Sequence, residues 1–337
     1  GVSCSKIGNI SITGTSFTGC SSGTLGGSVH FGLDGASSRI SAGTVTIQNC
    51  SFKNSSAKGV GGAVCLTDGQ YGSISVTGTT FENCVTNNFA GAIGMKAYAE
   101  GVKNTLGFGC SGDIKITGCT FTKCHGGSLG PEAYDNTNLG GNPDNYNTKT
   151  VTWDHDENSS TPKIDKLNGE AGGGAIVIGG TIDGNIEIKG ESASKPMKFE
   201  GCTTWNNGGA VFFNGGLVVK GSSGVTMQYL NINKCFARDA GGAIYFANVQ
   251  IKPFKLLNST IQYCGYFDSN DANFTPYAPT ISKDTFSLPT VYDRNDDADH
   301  TINKDDKGNN IVMTTETTTL QNTLYNRWSG YGNKLYV

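Results

Sequence analysis

Short runs of alternating apolar and polar residues recur along the chain. One set reads SVHF, AVCL, AIGM, AIVI, AVFF and AIYF, and a second reads ISIT, VTIQ, ISVT, IKIT, IEIK and VTMQ. β-Branched residues in a two-residue period, bounded by Gly, Asn and Ser, predict short strands. No stretch holds a helical period. Between the two sets lies a third recurring piece, seen in FKNSSAKGVGGAV, FENCVTNNFAGAI, FEGCTTWNNGGAV and INKCFARDAGGAI. It fits neither a single helix nor a single strand.

Aligned on its opening residue, this piece places Phe17, Phe52, Phe81, Phe121, Phe199, Ile232 and Ile261 in one column. Three residues on come Cys20, Ser55, Cys84, Cys124, Cys202, Cys235 and Cys264. Nine to eleven residues on come Gly26-Gly27-Ser28, Gly61-Gly62-Ala63, Ala90-Gly91-Ala92, Gly208-Gly209-Ala210 and Gly241-Gly242-Ala243. The Phe121 unit reaches its glycines late, at Gly173-Gly174-Ala175, which predicts a long loop insertion at about 125–170. A unit of roughly 30 residues with three short strands cannot bury its own apolar face, but a stack of such units can.

The architecture expected is therefore all-β: a right-handed single-stranded parallel β-helix, a pectate-lyase-like solenoid of about seven or eight coils. It would span residues 1–265, with 266–337 as a non-repeating C-terminal cap or assembly segment. Coils would lie ~4.8 Å apart, with the Phe column inside and each Gly-Gly-Ala corner where a side chain would strike the next coil.

Composition narrows the picture. Of 337 residues, 49 are glycine, and 36% are hydrophobic, enough for a packed interior. The net charge is −3, with no basic face of the kind nucleic acid requires. No apolar run approaches the ~20 residues of a membrane helix. The chain begins at Gly1, so a processed protein or a fragment is expected. Of the 11 cysteines, Cys20, Cys84, Cys124, Cys202, Cys235 and Cys264 share one column. Stacking would bring neighbours within disulfide reach by Cα distance; a file of buried free thiols is the equal alternative. Cys50 and Cys119 share another position but lie two coils apart. N-Glycosylation acceptor patterns occur at Asn9, Asn49, Asn54, Asn158, Asn258 and Asn273, compatible with a secreted protein.

The pairing of F-x-x-N/C with GGA[ILV] over residues 10–265 resembles the repeats of the polymorphic outer-membrane proteins, the autotransporter adhesins of chlamydiae. Related repeats occur in surface proteins of some protist parasites. The family usually has Asn where this chain has mostly Cys, with Asn54 and Asn83 one place earlier. The resemblance implies an extracellular or cell-surface, non-catalytic protein, structural or adhesive. Its partners would be molecules of a host or neighbouring cell surface, or copies of itself.

Two runner-up classes remain. A filament subunit would join through the coil ends or the tail. A carbohydrate-active enzyme, lyase or hydrolase, would need clustered carboxylates, commonly with a cation and a basic residue. Glu82 and Glu200 share an outward column but lie two coils apart, about 10 Å, wide even for an inverting pair. The segment WDHDEN (Asp154, His155, Asp156, Glu157) and the acidic turns DRNDDADH and NKDDKGNN read as solvated loops. No catalytic residue, metal ligand or cofactor site is expected. Thr-x-Thr pairs such as Thr13/Thr15, Thr44/Thr46 and Thr77/Thr79 read as strand residues rather than an ice-binding array.

Overall fold

The computed structural model describes residues 2–4, 8–32, 40–86, 88–96, 107–127, 172–204, 207–214, 216–237, 241–247, 249–251, 253–262, 264–266, 312–313 and 335–336. Among these, every regular element is a strand. The repeats stack their strands into four sheets, and in three repeats sheet 1 receives a second short strand, at Gly109–Cys110, Thr181–Ile182 and Val218–Val219. Sheet 1 takes the IxI-type runs, from Ile10–Thr13 to Phe254–Leu257. Sheet 2 takes the Phe-centred strands, from Ser16–Thr18 to Ser259–Gln262. Sheet 3 takes two-residue strands, from Ser21–Ser22 to Gly265–Tyr266. Sheet 4 takes the runs after the glycines, from Val29–Phe31 to Ile244–Phe246.

Neighbouring repeats pair in parallel and in register. In sheet 2, Phe17 lies opposite Phe52, Phe52 opposite Phe81, Phe81 opposite Phe121 and Phe121 opposite Phe199; Ile232 and Ile261 continue the column. The rings stack with centroids 4.8, 5.0, 4.8 and 4.9 Å apart and planes within 6° of parallel. That is the strand-pairing distance, so ring spacing follows from backbone spacing. Sheet 1 adds the column Val45, Ile74, Ile114, Ile186 and Val225, and sheet 4 adds Val29, Val64, Ile93, Ile176 and Val211. All are buried in one continuous core. Each such side chain contributes about 1.5–3 kcal/mol by leaving water.

Three recurring corners turn the chain from sheet to sheet, and nearly every one holds a left-handed residue; the link from Ile186–Lys189 to Met197–Glu200 is longer and has none. Between sheets 1 and 2 it is Gly14, Asn49, Gly78, Gly118, Tyr229 or Asn258. Between sheets 2 and 3 it is Gly19, Asn54, Asn83, Lys123, Gly201 or Lys234. Before sheet 4 it is Gly26, Gly61, Ala90, Gly173, Gly208 or Gly241. Glycine and asparagine reach this conformation at least cost, so they dominate. The second glycine of the motif has a different reason. A Cβ on Gly62 would run into the carbonyl oxygen of Gly91 on the next repeat; a Cβ on Gly91 would meet that of Gly174.

Two expectations change. His125 and Gly126 do not begin the insertion; they form a sheet 3 strand between Val85–Thr86 and Thr203–Thr204. They occupy the place every repeat uses for that sheet. The strands of sheet 4 also fail to alternate between buried and wet. Cys65, Val177 and Phe212 face away from the main core yet are buried with Leu25, Val60 and Phe89 in a second apolar cluster. Residues leading into the third corner fold over that face, so both sides of the sheet are dry.

At the far end, Val312–Met313 pairs antiparallel with Ser259–Thr260, and Leu335–Tyr336 pairs parallel with Ile244–Tyr245. The rest of the tail, and the insertion with WDHDEN, lie outside the described residues.

Candidate functional site

The most concentrated chemistry in the stacked sheets is a file of thiols. The left-handed corner between sheets 2 and 3 turns the next residue inward, and that residue is the cysteine. Cys84, Cys124, Cys202, Cys235 and Cys264 are fully buried, one per repeat in five successive repeats. Their Sγ atoms lie 3.6, 3.7, 3.7, 3.8 and 3.6 Å from the carbonyl oxygens of Phe52, Phe81, Phe121, Phe199 and Ile232 on the preceding repeat. Cys84, Cys124, Cys202 and Cys235 also approach the carbonyl two residues back in their own chain.

No disulfide joins these cysteines or Cys20, so the file is one of thiols rather than of cross-links. The reason is geometric. In-register parallel pairing holds like side chains side by side, with Cβ atoms about as far apart as the strands, ~4.8 Å. A disulfide needs Cβ atoms ~3.8 Å apart and turned toward each other. Burial drives the thiols of Cys84, Cys202 and Cys235 well above their ordinary pKa, so they stay protonated and unreactive.

Cys50 and Cys119 occupy the equivalent place after the corner between sheets 1 and 2. Their Sγ atoms approach the carbonyls of Gln48 (3.3 Å) and Thr117 (3.5 Å). Burial pushes the Cys119 thiol up to about 12. Thr79 fills the same position in the intervening repeat. It is buried, donates to the Thr77 carbonyl at 3.0 Å and accepts from the Cys50 N–H at 3.3 Å. Thiol and hydroxyl are thus alternative fillings of one corner. Thr77 and Thr79 fall on either side of that corner and do not share a flat outer face.

The carboxylates singled out by sequence are engaged locally. Glu82 pairs with Lys53 at 3.0 Å, both about half exposed. Glu200 accepts from Asn233 Nδ2 at 2.8 Å and lies 3.7 Å from Lys234. Thr122 stands between them in the register, so they do not converge. Asp113 is held below the usual carboxylate range, first by the Asn185 backbone N–H it accepts at 2.9 Å. Among the described residues no cluster of three or more His, Cys, Asp or Glu has metal-site geometry.

Sequence reasoning missed the histidines. His125 is buried with Nδ1 2.8 Å from the Thr203 hydroxyl, and burial lowers its pKa to about 3. His30 is buried with Nε2 3.3 Å from the Thr67 hydroxyl. Tyr71 is buried as well and donates to the Phe31 carbonyl at 2.8 Å. The only signal for His125 was its place in the repeat, where other units carry Val85 or Thr203.

Of the glycosylation candidates, Asn49 is exposed, while Asn54 and Asn258 are half-buried; all three are left-handed corner residues. Asn9 is exposed and its Oδ1 accepts the Thr44 N–H at 2.9 Å. Asn158 and Asn273 lie outside the described residues.

The chain matches no protein-family model, no curated protein and no solved structure. No helix among the described residues is long and apolar enough to cross a membrane, which leaves strand-built barrels unaddressed.

Proposed function

We propose that this chain is a right-handed single-stranded parallel β-helix acting as a non-catalytic scaffold or adhesin at a cell surface. One observation carries the reading: like residues from every repeat stack into a single core, with ring spacings held between 4.8 and 5.0 Å from Phe17 to Phe199. Such a core makes a stiff rod whose outward columns vary freely, which suits presentation more than turnover. Parallel crossovers are right-handed in about 98% of cases, which supports the hand. The likeness of the F-x-x-N/C and GGA[ILV] repeats to surface adhesins supports the location and the class of partner. The commitment of Glu82 to Lys53, and of Glu200 to Asn233 and Lys234, weighs against acid–base work by that pair.

The filament alternative draws on Val312–Met313 and Leu335–Tyr336, which extend two sheets and, exchanged between copies, would join shafts.

The test is saturable binding of the purified chain to cultured cells and extracellular-matrix proteins, run beside digestion assays on acidic polysaccharides. The reading expects binding without bond cleavage. Release of new reducing or unsaturated ends, abolished in Glu82→Gln or Glu200→Gln, would overturn it.

A further inference from the structure

The strand Leu230–Asn233 turns its apolar residues inward: Leu230 and Ile232 are buried, while Asn231 and Asn233 look outward and are half-buried. The side-chain carbonyl oxygens of both asparagines are closed to solvent, and neither accepts a hydrogen bond. Asn233 Nδ2 donates to Glu200 at 2.8 Å, which fixes the nitrogen end of that amide and leaves its oxygen unspent. In-register pairing sets Glu200 beside Asn233 and Lys198 beside Asn231. A buried acceptor without a donor costs free energy that a donor would return.

The residue just before this strand is also unusual. Tyr229 is left-handed, with a φ of 54°, at a corner that most other repeats fill with glycine or asparagine. That conformation crowds a large side chain, and a strained residue held in place by its surroundings points to a use beyond folding. Tyr229 is half-buried, so part of it faces solvent. A tyrosine offers a flat apolar face and a polar tip. The charges nearby narrow the ligand. Lys198 and Lys234 flank one carboxylate, Glu200, with Lys234 Nζ 3.7 Å from it. Two ammonium groups against one carboxylate leave the patch net positive, which disfavours a metal ion or an ammonium group as the missing donor. Neutral hydroxyls meet no such penalty.

We propose that Tyr229, Asn231 and Asn233 form a binding site for a neutral sugar of a glycan chain. The sugar's hydroxyls donate to the two unspent carbonyl oxygens, its less polar ring face lies on Tyr229, and Glu200 and Lys198 border it. A few fixed polar groups beside an aromatic face is the usual make-up of a small-ligand site. Reaching the oxygens requires rotation of surface side chains such as Lys198, which is exposed, and no movement of the paired backbone. The inference rests on the adhesive reading and names a partner class for it.

The test is binding of the purified full chain to a printed array of neutral, N-acetylated and acidic glycans, followed by titration of the strongest printed glycan in solution. Binding to neutral or N-acetylated glycans is expected, with a dissociation constant of about 1 mM or below. Tyr229→Asn supplies the residue that Asn49 and Asn258 provide at the same corner, and Asn231→Ala removes an acceptor that has no partner. Each should weaken binding at least about tenfold without lowering the urea midpoint, whereas a purely structural role would move the midpoint and not the affinity. Retention of no glycan, binding to acidic glycans alone, affinity unchanged in both variants, or a calcium-dependent rise in the parent's urea midpoint that Asn231→Ala abolishes would each overturn the proposal. Cells bound without any printed glycan would sink this site and leave the adhesive role standing; no binding to cells either would sink both.

Discussion

Replacing Phe81 by alanine probes the stacked interior directly. Phe81 is 1% exposed and lies between two rings, 5.0 Å from Phe52 and 4.8 Å from Phe121. Its Cα partners are fixed on both sides by backbone pairing, so the walls have little freedom to close on the cavity. A buried Phe→Ala change under such constraint costs about 4 kcal/mol. Phe17 has the same chemistry but is partly buried and stacks on one ring only, so Phe17→Ala should cost about 1–2 kcal/mol. The assay is urea unfolding followed by far-UV circular dichroism, with the slope fitted for each variant so that a change in unfolding mechanism is visible. A double-mutant cycle sharpens it. Phe52 and Phe81 touch and should couple by about 1 kcal/mol, whereas Phe17 and Phe121 stand three repeats apart and should add within about 0.5 kcal/mol. Equal losses for Phe17→Ala and Phe81→Ala, or no coupling between Phe52 and Phe81, would refute the ladder.

Gly62→Ala should destabilise by about 2 kcal/mol or more, because its Cβ would meet backbone of the next repeat; Gly23→Ala, in open space, should be near neutral in the same unfolding assay. His125 is neutral in the fold, with its pKa lowered by burial to about 3 against about 6.5 when unfolded. The unfolded chain therefore gains a proton first as pH falls. Stability is complete above about pH 6.5 and declines between there and pH 3, by up to about 1.4 kcal/mol per unit, a component that His125→Gln should remove from the pH dependence of the urea midpoint. Alkylation read by mass spectrometry should leave Cys84, Cys124, Cys202, Cys235 and Cys264 unlabelled in the native protein. All five should label after denaturation without reductant; labelling that requires reductant would show disulfides.

Much of this fold is written in periodicity. Strands centred on Phe52, Phe81 and Phe121 were legible because a two-residue period and a recurring spacing coincide, and the glycine at Gly62 because no other residue fits beneath the next repeat. Corners were less so. Tyr229 and Lys123 adopt left-handed conformations their side chains disfavour, since pairing on both sides outweighs a local cost of about 1 kcal/mol. Asn49, Asn54 and Asn258 read as glycan acceptors by sequence, yet their corner conformation is itself a reason for asparagine. The thiol column is visible in the sequence, but spacing gives Cα separation and not the direction of Cβ, so it does not separate bonded from unbonded states. The second apolar cluster depends on Leu25, Val60 and Phe89 folding back over sheet 4, a tertiary event that no local pattern encodes.

The most direct measurement is a crystal structure of the full chain, read along the interior column. The account predicts that Phe17, Phe52, Phe81, Phe121 and Phe199 lie one above another at 4.8 to 5.0 Å on parallel, in-register strands of a right-handed winding. A register displaced by one residue would turn those rings to solvent. That result, or antiparallel pairing between successive repeats, would contradict it.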